Sequence, residues 1–416
     1  MLTGQLPSEI AVYDNACDFS SSIPTVAHIL RFQGYQTIVS GKLHFVGSDQ
    51  NHGFEERLTA DIYPTDFSWT PTWGNETLLN DYFLESTDQL RSAGTAEKSI
   101  QLDFDREVAD RAIERLNELG KSTDAEPFCL LASFTHPHDP FIIPKEYWDR
   151  YSDNDIDLPR RRDFPVEIRD PHSARLIELY GFDDCQLTDS EIKNIRRAYF
   201  GAISFIDDQV GRLLEALAST DRADNTVVIF LSDHGEMLGE RGMWFKSNFF
   251  EPAIRVPLIV HNPQHPHSKR VSAPVSLLDF LPTIAEISGF NSLDWLNPST
   301  QGRSLVQEIS GGDIDNHLGR PLFGEYLGEG ALEPIVMVRV GENKLISGVK
   351  SAQQLFHLTT DPDERNNLLS QEVGVKKQLA AIIQETWELE LLRSDVLRSQ
   401  ALREFTRTAL ADSSSS

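Results

Sequence analysis

The sequence predicts an α/β protein with a mainly parallel central sheet flanked by helices, followed by a smaller α+β subdomain. Short apolar runs bounded by turn residues alternate with amphipathic helical segments. The runs are apolar throughout rather than alternating, as in strands covered on both faces. After about Gly311 the pattern changes to closely spaced strands and a helical tail. The expected units are residues 1–310, a catalytic domain, and 311–416, the smaller subdomain.

Taken in order, the apolar runs are "YQTIVS" from Tyr35, "FCLLASF" from Phe128 and "TVVIFLS" from Thr226. Helical periodicity occupies the segments from Asp105 and from Ser190 between them. The stretch from Tyr151 to about Asp189, with "LPRRRDFP", has little periodicity and reads as an insertion loop. "RPLFGEYL", "EPIVMVRVGENKLISG" and "QQLFHLTTDPDERNNL" suggest strands of a small sheet. A helical region follows from about Gln371 to Ala411, then a frayed "DSSSS" tail.

Composition narrows the function. With 64 acidic against 38 basic residues the net charge is -26, which repels a phosphate backbone and argues against nucleic acid as a partner. The three cysteines lack C-x-x-C spacing, so neither a disulfide framework nor a structural zinc site is indicated. Cysteine usage fits a reducing compartment, and a cytoplasmic location is the expectation. No apolar stretch reaches the roughly 18 residues that span a bilayer, so no membrane partner is expected.

Each apolar run leads into polar groups. The first gives "SGKLHF" with Lys42 and His44, the second "THPHDP" with His136 and His138, and the third "SDHGE" with Asp233 and His234. Lys246 follows in "MWFKSNFF". In open α/β sheets ligands bind at the carboxyl ends of strands, so these groups are expected to share one crevice. Lysines and a divalent cation would neutralise a tetrahedral oxyanion, while imidazoles donate hydrogen bonds or a proton. Each motif alone has a plainer reading, such as an Asp-capped turn in "DHG". Structure alone does not require basic groups at all the strand ends, and their recurrence points to sulfate or phosphate ester chemistry.

These residues resemble the sulfatase family of the alkaline phosphatase superfamily. "MLTGQLPSEIAVYDN", "GYQTIVSGKLHFVG", "FTHPHDPF", "IFLSDHGEMLGERGMWFK", "RVPLIV" and "LLDFLPTIAEISG" follow in family order. Within the family, "LHFVGSDQNHGFEERLTADIYPTDFSWTP", "DPHSARL" and "VLRSQALREF" are most similar to the choline sulfatases. The resemblance implies hydrolysis of a sulfuric ester, first of all choline-O-sulfate. It also implies one divalent metal ion, calcium first with magnesium or manganese as alternatives. On it, Asp233 and His234 match metal ligands, Lys42 and His44 the pair beside the catalytic aldehyde, and His138 and Lys246 sulfate-binding positions. His136 is a second candidate for the leaving group. A trimethylammonium group wants aromatic faces and a carboxylate. Tyr63, Phe67, Trp69, Trp73 and Glu325 are the candidates, with Trp69 and Glu325 preferred. "DYFLES" places Glu85 where the choline sulfatases carry a histidine.

The family's nucleophile is a formylglycine made from the Cys or Ser of C/S-x-P-x-R, and no such pattern occurs in the 416 residues. The opening "MLTG" matches the end of that motif. The expectation is an N-terminally truncated chain, lacking the first strand and two Asp metal ligands, with weak metal binding and little activity. A small-molecule sulfate ester is the expected partner, with a homo-oligomer as a possibility raised by the tail. Two rival readings are a phosphatase or phosphonate monoester hydrolase, and a non-catalytic oxyanion-binding protein.

Overall fold

A computed structural model describes residues 1–63, 65–74, 87–122, 126–266, 268–290, 301–312, 319–351 and 353–412. Helix α1 (Val26–Phe32) leads into strand β1 (Gln36–Gly41), which is flanked in parallel by β2 (Glu56–Arg57) and β3 (Phe128–Ser133). The order is β2-β1-β3. Between β2 and β3 runs α2 (Ile100–Lys121). Ser99 caps it by accepting from Leu102 N at 3.1 Å, and Leu102, Val108, Ala109 and Ala112 are fully buried on its inner face. The parallel order and the crossover helix are what the apolar runs and intervening periodicity require.

The region expected to be an insertion loop contains a helix, α3 (Pro171–Tyr180). Asp170 caps it, accepting from Ser173 N at 3.0 Å, and Gly181 closes it at φ +68°. At ten residues it was too short to stand out from its charged surroundings. The arginines of "LPRRRDFP" are paired within the chain, Arg160 with Asp363 at the surface. Arg161 is buried and donates to Glu364 O at 3.1 Å, while Arg162 pairs with Asp189.

The long helix α4 (Asp189–Ala218) begins in a capping box of Thr188 and Glu191 and leads to the antiparallel pair β4 (Val228–Leu231) and β5 (Leu258–His261). Among the described residues β4 does not pair with β3, so the expected single sheet is divided. An apolar cavity of about 1990 Å³ separates the two parts. For this reason no residue of β3 is fully buried, and Ile259 on β5 is 62% exposed. Helix α5 (Phe280–Ile287) packs on α1 through Ile29, Leu281 and Ala285.

The smaller subdomain is an antiparallel meander of β6 (Pro321–Tyr326), β7 (Ile335–Val340), β8 (Asn343–Ser347) and β9 (Gln354–His357). Helices α6 (Val373–Thr386) and α7 (Leu389–Asp412) complete it, and Leu379, Ile383 and Val396 join Val336, Val338, Leu345 and Leu355 in one core. No helix of the described residues is long and apolar enough to cross a membrane.

Candidate active site

Lys42 and His44 emerge where β1 passes close to β3. Gly41 has φ +114°, and a Cβ there would collide with the Ser133 carbonyl, so only glycine permits the approach. Lys42 N then donates to Ser133 O at 3.1 Å. The next turn is fixed by Asp61, whose Oδ2 accepts from both Leu43 N and His44 N at 2.8 Å and pairs with Arg57 at 3.2 Å. This holds His44 at φ +59° and sets its ring edge-on to Trp69, centroids 5.4 Å apart. Nε2 of His44 is buried without a hydrogen-bond partner among the described residues. Burial, then the Lys42 cation, push its pKa down to about 4, so the ring is neutral at pH 7. The Lys42 ammonium lies 5.2 Å from the Tyr63 ring centroid.

At the end of β3 a buried carboxylate shapes the turn. Asp105 accepts from Thr135 N at 2.7 Å, from His136 N at 2.9 Å and from the His136 ring at Nδ1, also 2.7 Å. The other ring nitrogen of His136 is 3.3 Å from Ile142 O. Both nitrogens are thereby committed and the side chain is wholly buried, which corrects the expectation that His136 contacts substrate. Its neighbour His138 takes that place. Asp139 Oδ1 lies 3.0 Å from His138 Nδ1, which assigns the proton to Nδ1 and leaves Nε2 to accept from the Lys246 ammonium at 2.8 Å. Burial raises the Asp139 pKa, but His138 and Lys246 outweigh it and the carboxyl is held below its ordinary range.

The end of β4 delivers Asp233 and His234. Gly235 lies so close to the Pro252 carbonyl that a Cβ would collide, and its N–H donates to Ala253 O at 2.7 Å. His234 Nδ1 lies 2.8 Å from Gly235 O, which assigns its proton and leaves Nε2 as a lone pair 3.7 Å from Asp233 Oδ2. The Asp233 side chain is 79% exposed, reached by solvent through the cavity while protein surrounds it. Although that enclosure raises its pKa, His234 and Lys42 more than compensate and keep the carboxyl ionised. Burial lowers the pKa of His234. A carboxylate oxygen and an imidazole lone pair suit a divalent cation, but hard cations take six or more oxygens. No cluster of three or more His, Cys, Asp or Glu suited to a metal occurs among the described residues. The pair fits one side of a coordination sphere and does not make a cage.

Lys42, His44, His138, Asp233 and His234 therefore line one cavity, with the His138 and His234 rings 6.1 Å apart and Lys246 joined through His138. Trp69 stands beside His44. Glu325 belongs elsewhere: it accepts from Ser8 N at 2.9 Å and from Trp387 Nε1 and is half-buried on β6, which corrects its assignment to the substrate cation. Trp73 is likewise a core residue, its Nε1 donating to Gly328 O at 3.2 Å. Glu85 lies outside the described residues. The sequence reading missed Asp61 and Asp105, the buried carboxylates that aim His44 and His138. Their sole signal was acidity at sites of no local pattern.

Basic and imidazole groups at the strand ends of an alkaline phosphatase-like fold define a hydrolase of tetrahedral oxyanion esters. The Sulfatase family profile matches residues 1–290, and the C-terminal profile of N-sulphoglucosamine sulphohydrolase matches 239–390; the chain belongs to the sulfatase family. A choline-sulfatase of Rhizobium meliloti is 41% identical over 410 residues, 97% of this chain and 79% of that protein. A sulfatase of Formosa agariphila is 27% identical over 322 residues, 74% of this chain and 61% of that one. Among solved structures, a phosphonate monoester hydrolase from Silicibacter pomeroyi superposes with TM-score 0.71 at 20% identity, over 92% of this chain and 83% of its own.

Proposed function

We propose that the site binds choline-O-sulfate and belongs to the hydrolysis of that ester to choline and sulfate. The observation that carries the reading is the Lys246–His138 contact at 2.8 Å beside the unpartnered Nε2 of His44. In that reading Lys42 and Lys246 neutralise sulfate oxygens and His44 donates a hydrogen bond from Nε2–H to one of them. With the Lys246 ammonium drawn to a sulfate oxygen, His138 Nε2 is released to take up a proton and give it to the leaving alkoxide, which matters because choline is a poor leaving group. Trp69, with Tyr63 behind Lys42, offers a ring face to the trimethylammonium. Family membership supports a divalent cation at Asp233 and His234, calcium first, with magnesium and manganese as alternatives. Three free thiols suit a reducing compartment such as the cytoplasm.

Because the 416 residues contain no C/S-x-P-x-R, this chain is expected to bind with little turnover. Calorimetry with choline-O-sulfate, inorganic sulfate and an aryl phosphate tests the reading. Choline-O-sulfate should bind more tightly than sulfate. Trp69→Ala should remove that margin, roughly tenfold for one aromatic–cation contact, and leave sulfate affinity intact. Lys246→Ala should weaken both ligands. Tighter binding of the aryl phosphate would instead favour a phosphate or phosphonate monoester hydrolase.

A further inference from the structure

Lys246 lies in a turn that no regular element supports, yet its direction decides whether its ammonium meets His138. The residues on both sides are left-handed, Phe245 at φ +65° and Ser247 at φ +76°. For non-glycine residues each such conformation is strained and persists only where the surroundings enforce it. Four hydrogen bonds enforce it here, one of them from Met237 N to Phe245 O at 2.8 Å within the same loop. Phe245 N donates to Glu236 Oε1 at 2.6 Å, Asn248 Nδ2 donates to Lys246 O at 3.2 Å, and the His172 ring donates from Nε2 to Ser247 O at 2.7 Å.

Of these, only the His172 contact comes from a distant element. Glu236 and Asn248 belong to the same loop and would move with it. His172 lies in the first turn of α3, fixed by Pro171 and the Asp170 cap, and its ring is buried beside Tyr326 of β6 at 5.5 Å. A carbonyl can only accept, so Nε2 carries the proton and the imidazole is a neutral donor. We propose that His172 is a positioning residue for Lys246: by holding the Ser247 carbonyl it locks the strained turn that points the ammonium at the bound oxyanion. This rests on the reading of Lys246 as a sulfate contact.

Sulfate binding by calorimetry tests it in a double-mutant cycle. His172→Gln keeps an N–H near the position of Nε2, while His172→Asn, whose shorter amide falls short of that position, and His172→Leu leave the Ser247 carbonyl donor-less; these two differ in polarity, so one folded donor-less variant suffices. The donor-less variants should weaken sulfate binding about tenfold and the Gln variant less than about threefold, as expected for loss or retention of one hydrogen bond that acts on a charged group. In a Lys246→Ala background, His172→Asn should weaken binding no further. Unchanged affinity in the donor-less variants, or equal losses in both backgrounds, would overturn the proposal, the latter marking a general structural role. If Lys246→Ala itself leaves sulfate affinity unchanged, the assignment of Lys246 falls as well. A loss with Lys246→Ala but none with His172→Asn defeats the positioning claim alone.

Discussion

The two largest sheets of the described residues are built on opposite terms. In the meander β6–β9, Val336, Val338, Leu345 and Leu355 are fully buried under α6 and α7, and the ladder is continuous. In the parallel sheet, β3 is half-exposed and faces the cavity, and Lys42, His44 and His138 project from loops beyond the ends of its strands, as Asp233 and His234 do beyond β4. Those loops are held by single buried polar groups, Asp61 for His44, Asp105 for the His138 turn, Glu236 and His172 for Lys246. Apolar packing fixes a shape but cannot aim a charge, and a buried carboxylate accepting several N–H groups can. Stability and recognition are thus carried by different kinds of contact in different halves.

One buried ion cluster joins the halves and offers the most severe way to break the contrast. Lys344 of β8 is fully buried, 2.8 Å from Glu251 and 2.6 Å from Glu364, and donates to Phe249 O at 2.8 Å. Lys344→Met leaves Glu364 buried without its cation and Glu251 with only Arg339 at 3.7 Å, so a loss of about 3 kcal/mol is expected in denaturant unfolding. A loss under 1 kcal/mol would mean that the cluster relaxes to solvent.

A matched pair of substitutions sharpens the contrast. Leu345→Ala empties a fully buried position in the meander and should cost about 3 kcal/mol through transfer and cavity terms, with sulfate affinity unchanged. Asp105→Asn should cost less, about 2 kcal/mol, because its NH₂ group opposes one of three N–H donors. Sulfate affinity should nevertheless fall, since the turn carrying His138 loosens. Equal effects of the two substitutions on binding would erase the distinction between the sheets.

The difference also explains what could be read from the sequence. Fold class, the parallel strands and the meander were legible because apolar runs and helical periodicity are local signals. Lys42, His44 and His138 meet because strand ends in a parallel sheet share one side, whereas Asp233 and His234 reach the same cavity from the separate pair β4–β5 and Lys246 through its contact with His138. His136 could not be told from His138 by spacing. Only the buried Asp105, thirty-one residues away, engages the His136 ring and takes it out of use for a ligand. Glu325 and Trp73 failed for the same reason, their partners Ser8, Trp387 and Gly328 being remote in the chain.

The smallest effect, one of slope, isolates His44. Its pKa falls from 6.5 in the unfolded chain to about 4 in the fold, mainly through burial, then Lys42. Between those values the unfolded state binds the extra proton, so this contribution is complete above about pH 6.5, declines as pH falls towards 4 and is gone below it. Burial also lowers His172 and His234, so the wild-type thermal midpoint should drop between pH 7.5 and 4.5 for several reasons at once. His44→Phe keeps a ring against Trp69 and removes one of them, which predicts a smaller drop. Sulfate sharpens the measurement. An anion at Nε2 favours the imidazolium and raises the pKa of His44, so saturating sulfate should flatten the wild-type curve. The curve of the Phe variant should move up with less change of slope. If sulfate flattens both curves equally, the anion does not meet His44, and the unpartnered nitrogen belongs to packing rather than to recognition.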